Sequence, residues 1–433
     1  MGQAGKQLLE QLGARGLIAQ QSAGQELEAH LDSPRVVYCG FDPTADSLHI
    51  GSLVPLLMLR RFQEAGHQPV VLVGGSTGLI GDPSFKAEER KLNSPDVVAG
   101  WVGKLQRQTM QFLDFDTAES NGALVVNNLD WTEDIRVLDF LRDVGKHFSI
   151  NTMVSRESVK QRIDREGAGM SFTEFSYSLL QGLDFAELYR RHQVTVQIGG
   201  SDQWGNIVSG VDLARRQSQA HCFGLTMPLI TKADGTKFGK TEAGTVWLDA
   251  QKTSPFRFYQ FWLNAADADV YRFLRYFTFL PVDEIAALEA KDRSSLGRRD
   301  GQTILATEVT KLVHGERALM AAKRITETLF SGDASGLAED DFKQLVQDGL
   351  PCSTIERADK RPLTQLLVDC EIANSGREVK DALTRSAVFI NGKSISMADN
   401  MLSERNFASE RAYFGRYFLI RLGKKKYHLL EHC

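Results

Sequence analysis

What most constrains the fold of this chain is an alternation that runs through its first half. Short β-rich runs, VVYC (36–39), VVLV (70–73), then 123–126, 195–198 and 225–230, are separated by longer amphipathic stretches. One of these, 50–66, reads as a helix closed by glycine. Parallel neighbours need a crossover between them, usually a helix, so strand–helix–strand repetition predicts an α/β parallel sheet with helices on its faces. After Gly244 the pattern changes to aromatic-rich helices, TSPFRFYQFWLN and DADVYRFLRYFTFL. A polar stretch follows. Beyond it come the helix-like SGREVKDALTRSA, the strand-like VFINGKSI with an Asn-Gly turn, and a final strand-like YFLIRLGKKKYHLL. The expected segments are 1–243 for the α/β domain, 244–330 for an α-helical domain, 331–360 for a linker and 361–433 for a small α+β module.

A chain of 433 residues exceeds what one hydrophobic core usually supports, which agrees with several domains. Its start lacks a signal-like pattern and it contains no apolar run of about 18 residues, so a cytoplasmic protein away from the membrane is expected. Cys39, Cys222, Cys352, Cys370 and Cys433 are scattered, odd in number and never spaced as CxxC. That argues against a disulfide framework or a zinc site and fits a reducing compartment. The net charge of −4 conceals a division. From Arg361 onward 12 Lys and Arg stand against 8 Asp and Glu, net +4, whereas before it 39 stand against 47, net −8. A basic terminal module on an acidic body suits contact with a polyanion, though surface charge alone also falls this way by chance.

The chemistry concentrates in two stretches. In YCGFDPTADSLHIGS (38–52), a strand ends at Cys39, Gly40 permits close approach of a ligand, Pro43 stiffens the turn and His49 stands at the mouth of a helix. An imidazole beside free helix N–H groups suits a phosphate, and His49 equally fits an ordinary helix cap. In KADGTKFGKT (232–241), Lys237 and Lys240 sit on a Gly-containing loop, where flexible ammonium groups suit a transferring phosphoryl group. Gly235 and Gly239 have three residues between them where a P-loop has four, and the glycines of GGSTGLIGDPS (74–84) do not fit GxGxxG. Neither a P-loop nor a dinucleotide fold is supported.

Together these strings resemble class I aminoacyl-tRNA synthetases, whose HIGH and KMSKS signatures read HIGS (49–52) and KFGKT (237–241) here. The fuller strings YCGFDPTADSLHIG, TGLIGDPS, FSYSLLQGLDF and QIGGSDQWGN are similar to bacterial tyrosyl-tRNA synthetases, and the similarity spans essentially the whole chain. The resemblance implies a Rossmann-like catalytic domain that forms tyrosyl-adenylate from L-tyrosine and ATP, then esterifies tRNA(Tyr). It also implies a homodimer, with Mg2+ accompanying ATP and no tightly bound cofactor.

By the same resemblance the phenol meets Tyr38 and Asp184, and the ammonium meets Asp82, Tyr177 and Gln181. A carboxylate accepts the phenolic proton, and phenylalanine would leave it desolvated and unpaired. Tyr177, Gln181 and Asp184 fall at i, i+4 and i+7, on one helix face. On spacing alone, Asp184 also reads as a helix residue bonded to a neighbour. Gln197 and Gln203 complete the tyrosine pocket, Gly200 and Asp202 resemble the ribose contacts, and Cys39, Gly40 and Asp42 assist at the nucleotide. Thr44 and His49 match donors to the phosphates, and Lys237, Lys240 and Thr241 close over pyrophosphate. Lys86 and Arg90 resemble a further clamp, and read alone they equally form a solvated charged loop. Ser52 replaces the second histidine of the signature, which predicts a weaker ATP contact there.

Arg377, Lys380, Arg385, Lys424, Lys425 and Lys426 are the candidates for tRNA backbone contacts, in a module resembling an RNA-binding domain of a ribosomal protein. Only 188 positions separate His49 from Lys237, too few for a large editing domain. The competing readings are a tryptophanyl-tRNA synthetase, a catalytically silent RNA-binding homologue and a generic nucleotidyltransferase. Tyr38 with Asp184, intact His49, Lys237 and Lys240, and the basic terminal module argue against them in turn.

Overall fold

The structure, a computed structural model, describes residues 3–84, 92–116, 121–156, 159–160, 163, 169–236, 238–241, 244–294, 300–331, 334, 336–357, 359–401, 403–423 and 426–432. The chain divides into two compact units, Met1–Asp249 with Ala265–Leu305, and Ala250–Asn264 with Ala306–Cys433.

The first unit is built on six strands: β1 (Gln20–Gln21), β2 (Val36–Phe41), β3 (Gln68–Val73), β4 (Leu124–Asn127), β5 (Val194–Gly200) and β6 (Phe223–Met227). Their order is β1-β6-β5-β2-β3-β4. All neighbours are parallel except β1, which runs antiparallel on β6. β3 and β6 are nearly continuous apolar runs buried on both faces, as expected where helices cover a parallel sheet. From β2 the chain steps outward to β3 and β4, then returns to the other side of β2 as β5 and β6. The reversal puts a crevice at the carboxyl ends of β2 and β5, where ligands of open α/β sheets bind.

Three helices of this unit line the crevice, α1 (Leu53–Glu64), α2 (Pro95–Thr109) and α3 (Phe172–His192), and α4 (Trp204–Ser218) and α5 (Asp267–Phe277) belong to the same unit. The sequence signals that bound them are local. A single 3-10 turn, Ile50–Ser52, opens α1. Gly66 reverses the chain after it at φ +89°. Ser171 caps α3 by accepting from the Glu174 amide at 3.2 Å.

The second unit carries a five-stranded sheet made of β9 (Cys352–Ile355), β10 (Val388–Ile390), β11 (Lys393–Ile395), β12 (Tyr417–Leu422) and β13 (Lys426–His432), in the order β11-β10-β12-β13-β9. The numbers between go to a two-stranded ribbon of the first unit, β7 (Lys240–Thr241) and β8 (Gly244–Thr245). Leu363, Leu366, Leu367, Val379, Leu383, Phe418 and Ile420 pack as the core beneath the larger sheet. The Asn-Gly turn expected in VFINGKSI is present, with Asn391 at φ +49° and Gly392 at +77°.

Four expectations are corrected. The last strand-like stretch is a hairpin, because Gly423 at φ +67° turns the chain between β12 and β13. The strand expected at 225–230 stops at Met227, ahead of Pro228, which has no amide to donate. The polar stretch 331–360, expected as a short helical or irregular linker, has its helix at Glu339–Gln347 but also holds β9, whose parallel pairing with β13 makes it part of the terminal sheet. Finally, 244–330 is divided between the units. Helix α5 and the helix Val282–Ser294 belong to the first unit, where Arg61 donates to the Thr278 carbonyl at 2.6 Å and Arg15 to that of Leu280 at 2.7 Å.

Candidate active site

A cleft of about 590 Å³ opens at the crevice between β2 and β5. Tyr38, Cys39 and Gly40 reach it from β2, Gln197 and Gly200 from β5, and Tyr177, Gln181 and Asp184 from one face of α3. Asp42, Thr44, His49 and Ser52 line it from the loop after β2, Asp82 from the loop after β3, and Asp202 and Gln203 from the turn after β5. Its closed end is buried, with Tyr38 0% and Asp184 1% exposed, whereas Thr44 and His49 stand exposed at its mouth. A carboxylate and a phenol ring buried this way need partners, and the geometry supplies only some of them.

At the closed end, Asp184 accepts from Asn128 Nδ2 at 3.0 Å and from Trp131 Nε1 at 2.9 Å. Burial pushes its carboxyl up to about 7, and the two donors pull against that rise. The second Asn128 amide hydrogen goes to Thr77 Oγ1 at 2.9 Å, Thr77 donates to Asp42 Oδ1 at 2.6 Å, and the Tyr177 hydroxyl donates to Asp42 Oδ2 at 2.6 Å. A continuous hydrogen-bonded chain thus joins Asp184 to Tyr177. Gly74 makes room for it, since a Cβ there would stand 2.1 Å from Asp42 Oδ1 and 2.3 Å from Thr77 Oγ1.

Three buried polar atoms here have no hydrogen-bond partner among the described residues: the Tyr38 hydroxyl, Gln181 Oε1 and Gln197 Oε1. Tyr38 packs edge-on against Phe185 with ring centroids 5.2 Å apart, and burial holds its hydroxyl well above the usual phenol range. Asp82 accepts from Gln203 Nε2 at 2.7 Å. Burial, with Asp82 nearby, raises the Asp202 carboxyl. The Cys39 thiol is pushed up to about 12 by burial, so it is a packing group and not a nucleophile.

At the mouth, two stretches far apart in sequence meet. Leu248 N donates to Leu48 O at 2.9 Å and Ile50 N to Val246 O at 3.0 Å, pairing His49 with Trp247. Val246 N in turn donates to Gly239 O at 3.0 Å, so HIGS lies along the chain that leaves KFGKT. Gly239 has φ +78°, and a Cβ there would stand 2.6 Å from Ile50 Cγ2, two reasons for glycine at this position. His49 Nδ1 accepts from Gly51 N at 3.0 Å, which places the proton of the neutral ring on Nε2. The helix-cap and phosphate readings of His49 are therefore compatible, one on each ring nitrogen.

Comparison with known proteins settles the family. The model of class I tRNA synthetases (W and Y) matches residues 31–331, and that of the tyrosine–tRNA ligase SYY-like C-terminal domain matches 341–430. A tyrosine–tRNA ligase of Aliivibrio fischeri (strain MJ11) is 58% identical over 98% of this chain and 99% of its own. One from Salmonella paratyphi B is 57% identical over 99% of each. The chain belongs to the tyrosine–tRNA ligases. Among solved structures, a C-terminally truncated Aspergillus nidulans mitochondrial tyrosyl-tRNA synthetase superposes with a TM-score of 0.66 at 30% identity, over 75% of this chain and 94% of that one. A tryptophanyl-tRNA synthetase from Encephalitozoon cuniculi reaches 0.53 at 12% identity, over 79% and 95%, a likeness of fold alone.

Of the residues that family resemblance singled out, all those on β2, α3, β5 and the turns that follow the strands line the one cleft. Lys86, Arg90 and Lys237 lie outside the described residues, as do Lys424 and Lys425. Lys240 and Thr241 are described in backbone only, as β7. Arg377, Lys380 and Arg385 stand exposed along and just after the helix Gly376–Thr384, and Lys426 is exposed at the start of β13. Sequence reasoning missed Asn128 and Trp131, which hold Asp184, and Thr77, which joins Asn128 to Asp42. It also missed Gln108 on α2, which accepts from Leu48 N at 2.8 Å and braces the His49 loop. A signal for Asn128 existed: a polar pair, Asn127 and Asn128, at the exit of a predicted strand.

Proposed function

We propose that this ligase holds tyrosine with its phenol at the closed end of the cleft and ATP at the mouth. The observation that carries the reading is the trio of buried polar atoms with no partner among the described residues, the Tyr38 hydroxyl, Gln181 Oε1 and Gln197 Oε1. Their partners are then on the substrate. Both oxygens of Asp184 already accept hydrogen bonds, so the carboxylate has only acceptor capacity left for the phenolic O–H, and Tyr38 satisfies the phenol oxygen. Tyr177 spends its own hydrogen on Asp42 and therefore offers lone pairs to the ammonium, beside Gln181 and Asp82. Gln197 and Gln203 complete this pocket. Asp202 and Gly200 take the ribose, with Cys39, Gly40 and Asp42 close by.

The tyrosine carboxylate attacks the α-phosphorus in line, the bond to the bridging oxygen breaks, and pyrophosphate leaves with the electron pair. No general base is needed, since the nucleophile is ionised at neutral pH, so position and charge supply the rate. His49 donates from Nε2 and Thr44 from its hydroxyl, Ser52 adds a short contact, and Lys237, Lys240 and Thr241, with Lys86 and Arg90, close on the leaving group. ATP enters as its magnesium salt, the ion held by phosphates and water. A hydroxyl of the terminal ribose of tRNA then attacks the acyl carbon and AMP departs.

The tRNA is gripped along Arg377, Lys380, Arg385 and Lys424–Lys426, in the cytoplasm where ATP and tRNA meet. Two copies associate through an exposed apolar surface. Val137 is 73%, Leu138 78%, Ile150 68% and Phe172 75% exposed, apolar side chains that association would cover. The test of the whole reading is amino-acid-dependent exchange of pyrophosphate into ATP. Tyrosine alone is expected to support it; exchange driven equally by tryptophan, or by no amino acid, overturns it.

A further inference from the structure

We propose that helix α5 seats the lysine loop, with Asp269, Phe273 and Phe277 as positioning residues for the phosphate side of tyrosine activation. The proposal rests on the reading above that the loop's lysines act on the leaving pyrophosphate. Residues 269, 273 and 277 are spaced by four and so form one stripe of α5. Both ends of the loop are fastened to that stripe.

The first fastening is polar. Asp269, 2% exposed, accepts from Ala233 N with both carboxylate oxygens, at 3.0 and 3.1 Å. Arg272 pairs with Asp269 and donates to the Thr231 carbonyl at 2.6 Å. A buried carboxylate is costly unless it is paired, and Ala233 N and Arg272 supply the pairing here. What the carboxylate adds is a fixed starting point for the loop.

The second fastening is aromatic. Phe238, 8% exposed, stacks on Phe277 at 5.4 Å between centroids and meets Phe273 edge-on at 5.1 Å. Phe238 lies two residues before Lys240, so its seat sets where the backbone of that lysine begins. Between the fastenings the chain closes on itself. Lys232 N donates to Thr236 O at 3.0 Å, and Asp234 Oδ1 accepts from Thr236 N at 2.9 Å and from its hydroxyl at 2.6 Å. Beyond Phe238, Gly239 O receives Val246 N, the tie that leads to His49. The loop is thereby held on α5 at two points and on the His49 strand at a third.

The experiment compares the full-length chain with Phe238→Ala, Asp269→Asn and Lys240→Ala, reading single-turnover formation of tyrosyl-adenylate and, separately, tyrosine affinity by equilibrium dialysis. Misplaced lysines are expected to slow adenylate formation on the order of 10- to 100-fold in Phe238→Ala and Asp269→Asn. Tyrosine affinity is expected to stay within about twofold, because that pocket lies at the other end of the cleft. Phe238→Leu, which refills the apolar seat, is expected to recover most of the rate.

Unchanged rates in Phe238→Ala and Asp269→Asn, with Lys240→Ala slow, overturn the seat while leaving the lysine reading intact. Loss of tyrosine affinity in step with rate overturns it too, since that marks damage to the whole unit. A full rate in Lys240→Ala overturns the reading beneath, and the proposal with it. Amide exchange of Ala233 in the unmodified chain needs no variant: protection is expected, and exchange at an unfolded-chain rate overturns the seat.

Discussion

At Asp184, burial pushes the carboxyl up to about 7 while Asn128 and Trp131 hold both of its oxygens. The folded chain therefore keeps this proton to a higher pH than the unfolded chain does. The group's contribution to stability is present at low pH and lost as pH rises through about 7. Tyrosine binding runs the other way, because a proton on Asp184 removes the negative charge and takes up a lone pair that would accept the phenolic O–H. Affinity for tyrosine is expected to rise with pH and level off above about 7, and in Asp184→Asn to be weaker and free of this dependence, as equilibrium dialysis will show. Replacing Tyr38 by Phe removes the one hydroxyl left to meet the phenol, with an expected loss of about 1 kcal/mol, close to fivefold in Kd. Ser52→His restores a second imidazole at the mouth and is expected to lower the ATP concentration needed for activation. Unchanged kinetics in that variant would make the position immaterial.

At the scale of elements, the strands and their exits were legible because each carries its own signal: an apolar run, then Gly, Pro or a polar residue. Tyr38, Asp42, Asp184 and Gln197 came from the family strings; on spacing alone Asp184, inside a helix, reads as a residue bonded to a neighbour. Asn128, Thr77 and Gln108 were not, because their roles exist only once the sheet order β5-β2-β3-β4 brings three separate exits to one edge. Strand β9 escaped for a like reason: four residues of which only Ile355 is buried make no pattern until β13 pairs with them. Near the opposite end of the β2–β3 pair, burial and Arg35 depress both His30 and His67 to about 4. His67 accepts from the Arg35 amide at 3.1 Å. Both rings stay neutral in the fold where the unfolded chain takes protons, so their contribution to stability is present above about 6.5 and lost as pH falls through about 4. Denaturant midpoints measured across that window are expected to fall with pH, and less steeply in His67→Asn.

For the whole molecule, the pairing of β9 with β13 moves the point at which the terminal module can be removed. A cut near Arg361 would split the sheet, whereas a chain ending at Ser331 removes β9 to β13 together with the helix Glu339–Gln347. That shortened chain is expected to form adenylate and fail to charge tRNA, and tRNA affinity of the full chain is expected to fall steeply with salt. Leu138→Glu places a charge on the exposed apolar surface and is expected to give monomers by sedimentation. The most direct test of the account takes tyrosine affinity and single-turnover adenylate formation together, in Asp184→Asn and Lys240→Ala. The account predicts weak tyrosine binding in the first, and normal binding with slow adenylate formation in the second. Normal tyrosine affinity in Asp184→Asn, or a full rate in Lys240→Ala, would contradict it.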